Sequence, residues 1–288
     1  MSESVQPATA RRAPVRLDAR NVVVVIPALN EELRIRGVVE DALAHCPHVI
    51  VIDDGSTDGT VAALEGLPVI LLRHEQRRGK GASLRDGFAE ALRRGFAAVL
   101  TMDGDGQHAG ADLPRLIDAA NRYPDHIAIG ARLRKRSLQP TYRRLANEFG
   151  DWGIAWGCGY RIADTQSGQR LYPAAVCALD DVPGEDFVFE AQILISAARR
   201  LGMRCVSVPI ESRYAGEGVA EKFRKSHFRP LHDLWRITSH VVRQVLSHGG
   251  LIGLIDVYRR VRASAPVIHD PSGEFGVPPG AAATARSS

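Results

Sequence analysis

Two carboxylates two positions apart carry the clearest chemical signal in the chain, in Thr101-Met102-Asp103-Gly104-Asp105-Gly106-Gln107-His108. Asp103 and Asp105 converge on one hard cation if the extended backbone breaks after Asp103. Carboxylate oxygens suit Mg²⁺ or Mn²⁺, which would bridge a nucleotide diphosphate. Gln107 offers a neutral oxygen beside them, and Gly104 and Gly106 permit close ligand approach. An EF-hand loop also opens with Asp-x-Asp, but His108 stands where that loop needs Gly and Pro114 where it needs Glu. His108 reads either as a group behind the carboxylates or as a surface histidine.

Three further polar runs precede this one. Asp53-Asp54-Gly55-Ser56 sets adjacent carboxylates after an apolar run, a costly placement unless something satisfies them. A base or ribose would do so; a tight Asp/Gly turn is the alternative. Pro27-Ala28-Leu29-Asn30-Glu31-Glu32 is not the Gly-x-Gly-x-x-Gly of dinucleotide sites, and Gly79-Lys80-Gly81 does not complete a Walker A loop. Asn30 and Glu31 either serve a ligand or cap a helix. Arg77, Arg78 and Lys80 stand before a helix, where cations and free N–H groups hold phosphate, or else form a solvated basic loop.

The elements that must position these runs alternate. Strands are expected at Val22–Ile26, Val49–Ile52, Val69–Leu72, Ala97–Met102, Ile127–Gly130 and Cys205–Ile210, several of them continuous β-branched runs of the kind buried on both faces. Helices are expected at Glu31–Ala44, Ala82–Arg94, Leu113–Asn121, Tyr142–Trp156, Phe187–Arg200 and Arg229–Ser247, with Asp58 capping a short helix that ends at Leu64. This order implies an α/β fold with a mainly parallel twisted sheet flanked by helices. Such sheets bind ligands beyond the carboxyl ends of their strands, which puts the four motifs on one rim.

The composition is that of a water-soluble globular chain, 45% hydrophobic and 24% charged over 288 residues. A net charge of +4 suits an anionic substrate or membrane surface. With no RNA-reading aromatic motif or zinc-finger spacing, nucleic acid is not an expected partner. Four widely spaced cysteines read as buried thiols in a reducing cytosol. Residues 1–20 lack a signal-peptide core and read as a disordered arm, 21–248 as the catalytic domain, and 249–288 as a mostly disordered extension. No apolar run is long enough to span a bilayer.

Taken in order, VVVVIPALNEE, VIDDGSTDGT, GKGASLRDGF and TMDGDGQH resemble glycosyltransferase family 2, above all its dolichyl- or polyprenyl-phosphate sugar synthases. DTQSGQRLYP, FVFEAQIL and VPIESRY fit the same subgroup, and the resemblance spans residues 20–240. It implies the GT-A nucleotide-sugar fold. It also implies that Pro27, Leu29 and Glu31 contact the nucleotide, that Ile52 and Asp54 hold base or ribose, and that Asp103, Asp105 and Gln107 ligate the metal. Asp103 and Gly104 would lie near the sugar nucleotide, Arg132 would meet donor or acceptor phosphate, and Arg213 would reach the donor phosphates with Lys222, Lys225 or Arg229. Leu29 stands where the family commonly has Tyr, and Gln169 where it has Phe.

The implied reaction inverts the anomeric carbon, with a metal stabilising the leaving diphosphate and Arg213 and nearby cations adding to it. Asp105, Arg213 and Glu190 are the expected catalytic groups. A hydroxyl acceptor would need a base, for which Glu190 and the acidic pair Glu185-Asp186 are the candidates; Glu190 is otherwise a buried residue paired with an arginine such as Arg170. The expected partners are a GDP- or UDP-sugar and a lipid-phosphate acceptor. The helix at 229–247 and the segment 132–144, which has six Lys or Arg and no acid, point to peripheral attachment on the inner face of the cytoplasmic membrane. A core-facing helix and a solvated basic loop are the alternative. The rival functions are a nucleotidyltransferase, which PALNEE disfavours, and a non-catalytic nucleotide-sugar-binding protein.

Overall fold

The computed structural model describes residues 15–133, 141–184, 186–211 and 250–273. Eight strands form one sheet: β1 Val22–Ala28, β2 Val49–Asp53, β3 Ile70–Arg73, β4 Ala98–Thr101, β5 His126–Ala131, β6 Arg170–Pro173, β7 Arg204–Pro209 and β8 Val267–Ile268. Their order across the sheet is β3-β2-β1-β4-β6-β5-β7-β8. All pairings are parallel except those of β6, which runs antiparallel to β4 and β5.

Helices cover both faces: α1 Ile35–Leu43, α2 Lys80–Arg93, α3 Leu113–Arg122, α4 Thr141–Cys158, α5 Ala174–Cys177, α6 Asp186–Arg200 and α7 Gly250–Ala263. The two-residue period of β1 divides the core. Val22, Val24 and Ile26 join Ile35 and Val38 of α1 and Leu113 and Leu116 of α3. Val23 and Val25 face the other way, with Leu84 and Phe88 of α2 and Phe189 and Ile193 of α6.

Several expectations are corrected. The first helix begins at Ile35 rather than Glu31, because the Glu31 carbonyl accepts the N–H of Arg34 and Ile35 in a preceding turn. Asp58 caps no helix: the 3₁₀ turn at Ala62–Leu64 has no side-chain cap, and Asp58 accepts the N–H of Thr60. The run DTQSGQRLYP contains a strand, β6, that no apolar periodicity announces. Residues 250–273 are not a disordered extension, since β8 pairs in parallel with β7 and Val261 of α7 is 3% exposed. Two short apolar residues in a Pro- and Ser-rich stretch make a strand only because β7 presents an unpaired edge. Residues 15–20 are likewise tied in, with Leu17 and Asn121 exchanging two hydrogen bonds. Residues 1–14 and the helix expected at 229–247 lie outside the described residues.

Candidate active site

The first two loops of the carboxyl rim are stitched together. Asn30, at φ 56, receives the Thr57 N–H on its side chain, and its own N–H donates to Ser56 Oγ. The Glu31 N–H donates to Thr60 Oγ1, and the Glu32 carboxylate accepts the Gly59 N–H. Asn30 and Glu31 therefore join two loops rather than capping α1. Pro27 and Leu29 are half-buried on this rim, whereas the Ile52 side chain is fully buried in the core, leaving only its backbone for a ligand.

The protein itself engages the adjacent carboxylates at the end of β2. Asp53 accepts the Ser56 N–H, and Arg73 Nε lies 3.2 Å from its second oxygen, near enough for charge pairing but not aligned as a hydrogen bond. Asp54 accepts the backbone N–H groups of Arg78 and Gly79, both at 2.8 Å, and lies 2.7 Å from His74 Nδ1. Turn hydrogen bonds thus account for Asp54 and for one oxygen of Asp53, the other being left to the Arg73 charge. A Cβ on Gly55 (φ 77) would fall 2.9 Å from the backbone of Gln76 and Arg77, so only glycine lets the two loops meet.

An ionic cluster gathers on Asp103, just beyond β4. Lys80, the first residue of α2, places Nζ 2.7 Å from Asp103 Oδ1 and 3.3 Å from Glu190 Oε1 of α6. His108 Nε2 lies 3.5 Å from Asp103 Oδ2. Burial disfavours the Asp103 charge, but Lys80 and His108 outweigh it and hold the carboxyl far below its usual range. Burial also works against the Lys80 ammonium, yet Asp103 and Glu190 hold it above its ordinary range. Arg170, fully buried, sits 3.9 Å from Glu190 Oε1 and donates to the Glu190 backbone carbonyl at 3.0 Å. The arginine partnership expected of Glu190 is therefore present, with Lys80 the nearer cation.

Asp105 accepts the Gln107 N–H, and its pKa is raised, first by burial and then by the Asp103 charge. Gly104 is buried beneath it, where a Cβ would come within 3.2 Å of the Pro27 carbonyl. Gln107 is exposed. Arg132 forks onto Asp164, with Nε 2.9 Å from Oδ2 and Nη2 3.2 Å from Oδ1. Arg213, Lys222, Lys225 and Arg229 lie outside the described residues.

Gly168, within the DTQSG run, abuts the Asp103 carboxylate. Thr101 Oγ1 donates to its carbonyl at 2.7 Å, and any Cβ there would strike the Asp103 carboxylate. The antiparallel sense of β6 brings this loop to the rim, because it precedes its strand while the other motifs follow theirs. Nothing in the residue types alone marks such an approach.

A cleft of about 400 Å³ opens beside Gly55, Ser56, Thr57, Arg73, His74 and Glu75. A larger one, about 660 Å³ and bordered by Leu17, Ala97, Asn121 and Pro173, lies at the opposite rim of the sheet, where β4 begins, away from Asp103 and Asp105.

Among the described residues no three His, Cys, Asp or Glu groups converge as a metal cage. The residues present still suit a divalent ion that arrives with its nucleotide. Mg²⁺ commonly uses one or two carboxylates and completes its shell with water and substrate phosphates. Burial first, and the Asp103 charge second, disfavour the Asp105 carboxylate, and a bound cation would offset both.

A largely parallel sheet with its functional groups on the carboxyl rim, interrupted by one antiparallel strand after the Asp-Gly-Asp loop, is the GT-A fold of nucleotide-sugar transferases. The chain belongs to glycosyl transferase family 2, whose model matches residues 23–178, and it is a glycosyltransferase. It is 31% identical to the polyprenol monophosphomannose synthase of Mycolicibacterium smegmatis, over 71% of this chain and 79% of the relative. It is 32% identical to the undecaprenyl-phosphate mannosyltransferase of Micrococcus luteus, over 69% and 90%. Among solved structures, it resembles glucosyl-3-phosphoglycerate synthase of Mycobacterium tuberculosis, crystallised with Mn²⁺, UDP and glucosyl-3-phosphoglycerate. That match has a TM-score of 0.53 at 21% identity and covers 79% of each chain.

Proposed function

We propose that this glycosyltransferase is inverting and metal-dependent, moving a sugar from a GDP- or UDP-sugar to a polyprenyl phosphate or another lipid phosphate. The carrying observation is the Asp103 cluster, in which a carboxylate held ionised at the rim of β4 meets a half-buried cation from α2 and a carboxylate from α6. The names of the two mannosyl-transferring relatives support a lipid-phosphate acceptor.

Asp103 and Asp105 would hold the ion, with Gln107 beside them, and the ion would stabilise charge on the departing diphosphate. Lys80 supplies fixed positive charge at the same place and needs no reorganisation to do so. Pro27, Leu29 and Glu31 border the nucleotide, and Asp54 acts by holding the loop against which a base would lie. Arg132 stays oriented by Asp164 toward a phosphate. A phosphate acceptor is already anionic, so Glu190 has no proton to remove; its part is to keep Lys80 charged and in place. Arg213 and Arg229 would complete the phosphate contacts.

The transferase unit takes in residues 15–273 rather than 21–248, since both flanks join the sheet or its helices. Among the described residues no helix is long and apolar enough to cross a membrane. We place the protein at the cytoplasmic face of an anionic membrane, reached through the basic segment 132–144 and residues 229–247.

A panel of UDP- and GDP-sugars with Mg²⁺ or Mn²⁺, scored by diphosphate release with a polyprenyl phosphate acceptor, tests the reading. One donor should turn over, and Asp105→Ala should abolish the metal-dependent rate; full activity in that variant would sink the assignment. Failure to float with anionic vesicles at low salt would remove the membrane part alone.

A further inference from the structure

His74, directly after β3, is 8% exposed and has a carboxylate at each ring nitrogen. Nδ1 lies 2.7 Å from Asp54 Oδ1, and Nε2 lies 2.9 Å from Asp86 Oδ2 in α2. Arg78 Nη1 also donates to Asp86 Oδ2, at 2.6 Å, and passes 3.4 Å from His74 Nε2. Arg73 and Glu75 flank the histidine in sequence and border the same cleft.

The consequence lies at the start of α2. A helix begins with N–H groups that its own turns cannot satisfy. Gly79, the residue before α2, stands at φ 88 and has no side chain with which to cap it. Asp54 reaches across from the end of β2 and accepts the N–H groups of Arg78 and Gly79. The next residue is Lys80, whose ammonium meets Asp103 and Glu190. The carboxylate that anchors the turn is thus itself steered by His74, and His74 is steered by Asp86 on the helix the turn begins. An imidazole offers two nitrogens on opposite sides of a rigid ring and so can meet carboxylates on two elements at once.

We propose that His74 is a positioning residue: clamped between Asp54 and Asp86, it fixes the Arg78-Gly79-Lys80 turn and with it the Lys80 ammonium between Asp103 and Glu190. The proposal rests on reading Lys80 and Asp103 as groups that handle the sugar nucleotide. His74 also lines the 400 Å³ cleft, so one side chain borders the cleft and secures the cation beyond it.

The test compares His74→Phe and His74→Gln with the wild-type chain, each also in a Lys80→Ala background. Amide hydrogen exchange over residues 75–84 is read alongside nucleotide-sugar turnover. In His74→Phe, exchange should rise within 75–84 while β1 and β2 keep their protection. Turnover should fall on the order of 10²-fold, the cost typical of displacing a catalytic group by about 1 Å, and mostly in kcat rather than donor KM. His74→Gln, which can keep one of the two bonds, should recover part of the rate. The loss should vanish in the Lys80→Ala background, because the histidine acts through that lysine. Unchanged exchange over 75–84 would overturn the proposal. So would a rise spread over the whole sheet, or a loss that multiplies with that of Lys80→Ala. A wild-type chain that turned over no nucleotide sugar would defeat the donor reading, and the exchange comparison alone would then decide the role of His74.

Discussion

At the scale of single residues, the distance between Gly168 and Asp103 decides more than the identity of either. Asp103 keeps its place because Lys80 and His108 draw on its two oxygens and because no side chain intrudes from the β6 loop. Gly168→Ala sets a methyl group against that carboxylate, and with the Gly168 carbonyl held by Thr101 the backbone cannot easily retreat. The expected result is a fall in kcat on the order of 10²-fold, approaching that of Asp103→Asn, with a thermal midpoint close to that of the wild type. Steady-state kinetics with a differential melting curve would check it. An alanine variant at full rate would mean that Asp103 tolerates displacement. Asp103 and Asp105 stand out in the sequence through their spacing together with their place at a strand end among the other motifs. Lys80 was legible only as one of three cations in a loop, since its reach to Asp103 depends on where α2 starts.

Elements show why legibility falls off along the chain. The strands β1, β2 and β4 are near-continuous apolar runs, and their order with α1, α2 and α3 follows from period and turn residues. β6 escaped because its four residues, Arg-Leu-Tyr-Pro, begin with a charge. That charge is buried, with Arg170 donating to the carbonyls of Thr165, Ser167 and Glu190 and to the Tyr172 hydroxyl. Removing the guanidinium strands three carbonyls, and unsatisfied buried acceptors cost about 1–3 kcal/mol each. Arg170→Ala should therefore lower the urea midpoint sharply and also loosen the loop that carries Gly168.

The neighbouring pair, Arg132 and Asp164, links the β5 end to this loop and titrates. Burial would raise the Asp164 pKa, but the hydrogen bonds and charge of Arg132 outweigh it and hold the carboxyl at about 2, against an ordinary 3.8. A depressed acid contributes stability that is fully present above its unfolded value and is lost as pH falls through the folded one. The shift corresponds to roughly 2 kcal/mol, present above about pH 4 and lost toward pH 2. Urea unfolding across that window should show a shallower pH slope in Asp164→Asn than in the wild type.

For the whole molecule, the sheet is finished by residues far from the family motifs. β7 pairs with β5 on one side, and without β8 its other edge would face water. Val267 and Ile268 close it, His269 Nε2 lies 2.8 Å from Asp118 Oδ2 of α3, and Arg161 donates its N–H to Ser264 Oγ. Composition could not reveal this, because Ala, Ser and Pro around two apolar residues read as a tail unless the unpaired edge is known. An exposed edge strand is a template for association with another chain. A chain ending at residue 249, which keeps every motif of the donor site, should therefore lose solubility and melt lower than the full chain, whereas one ending at residue 273 should match it. Size-exclusion chromatography with thermal melts of the three lengths would separate the two. A soluble, monomeric 1–249 chain with an unchanged midpoint would show that β8 merely decorates the sheet. A midpoint drop with aggregation would make α7 and β8 together the segment that closes the fold.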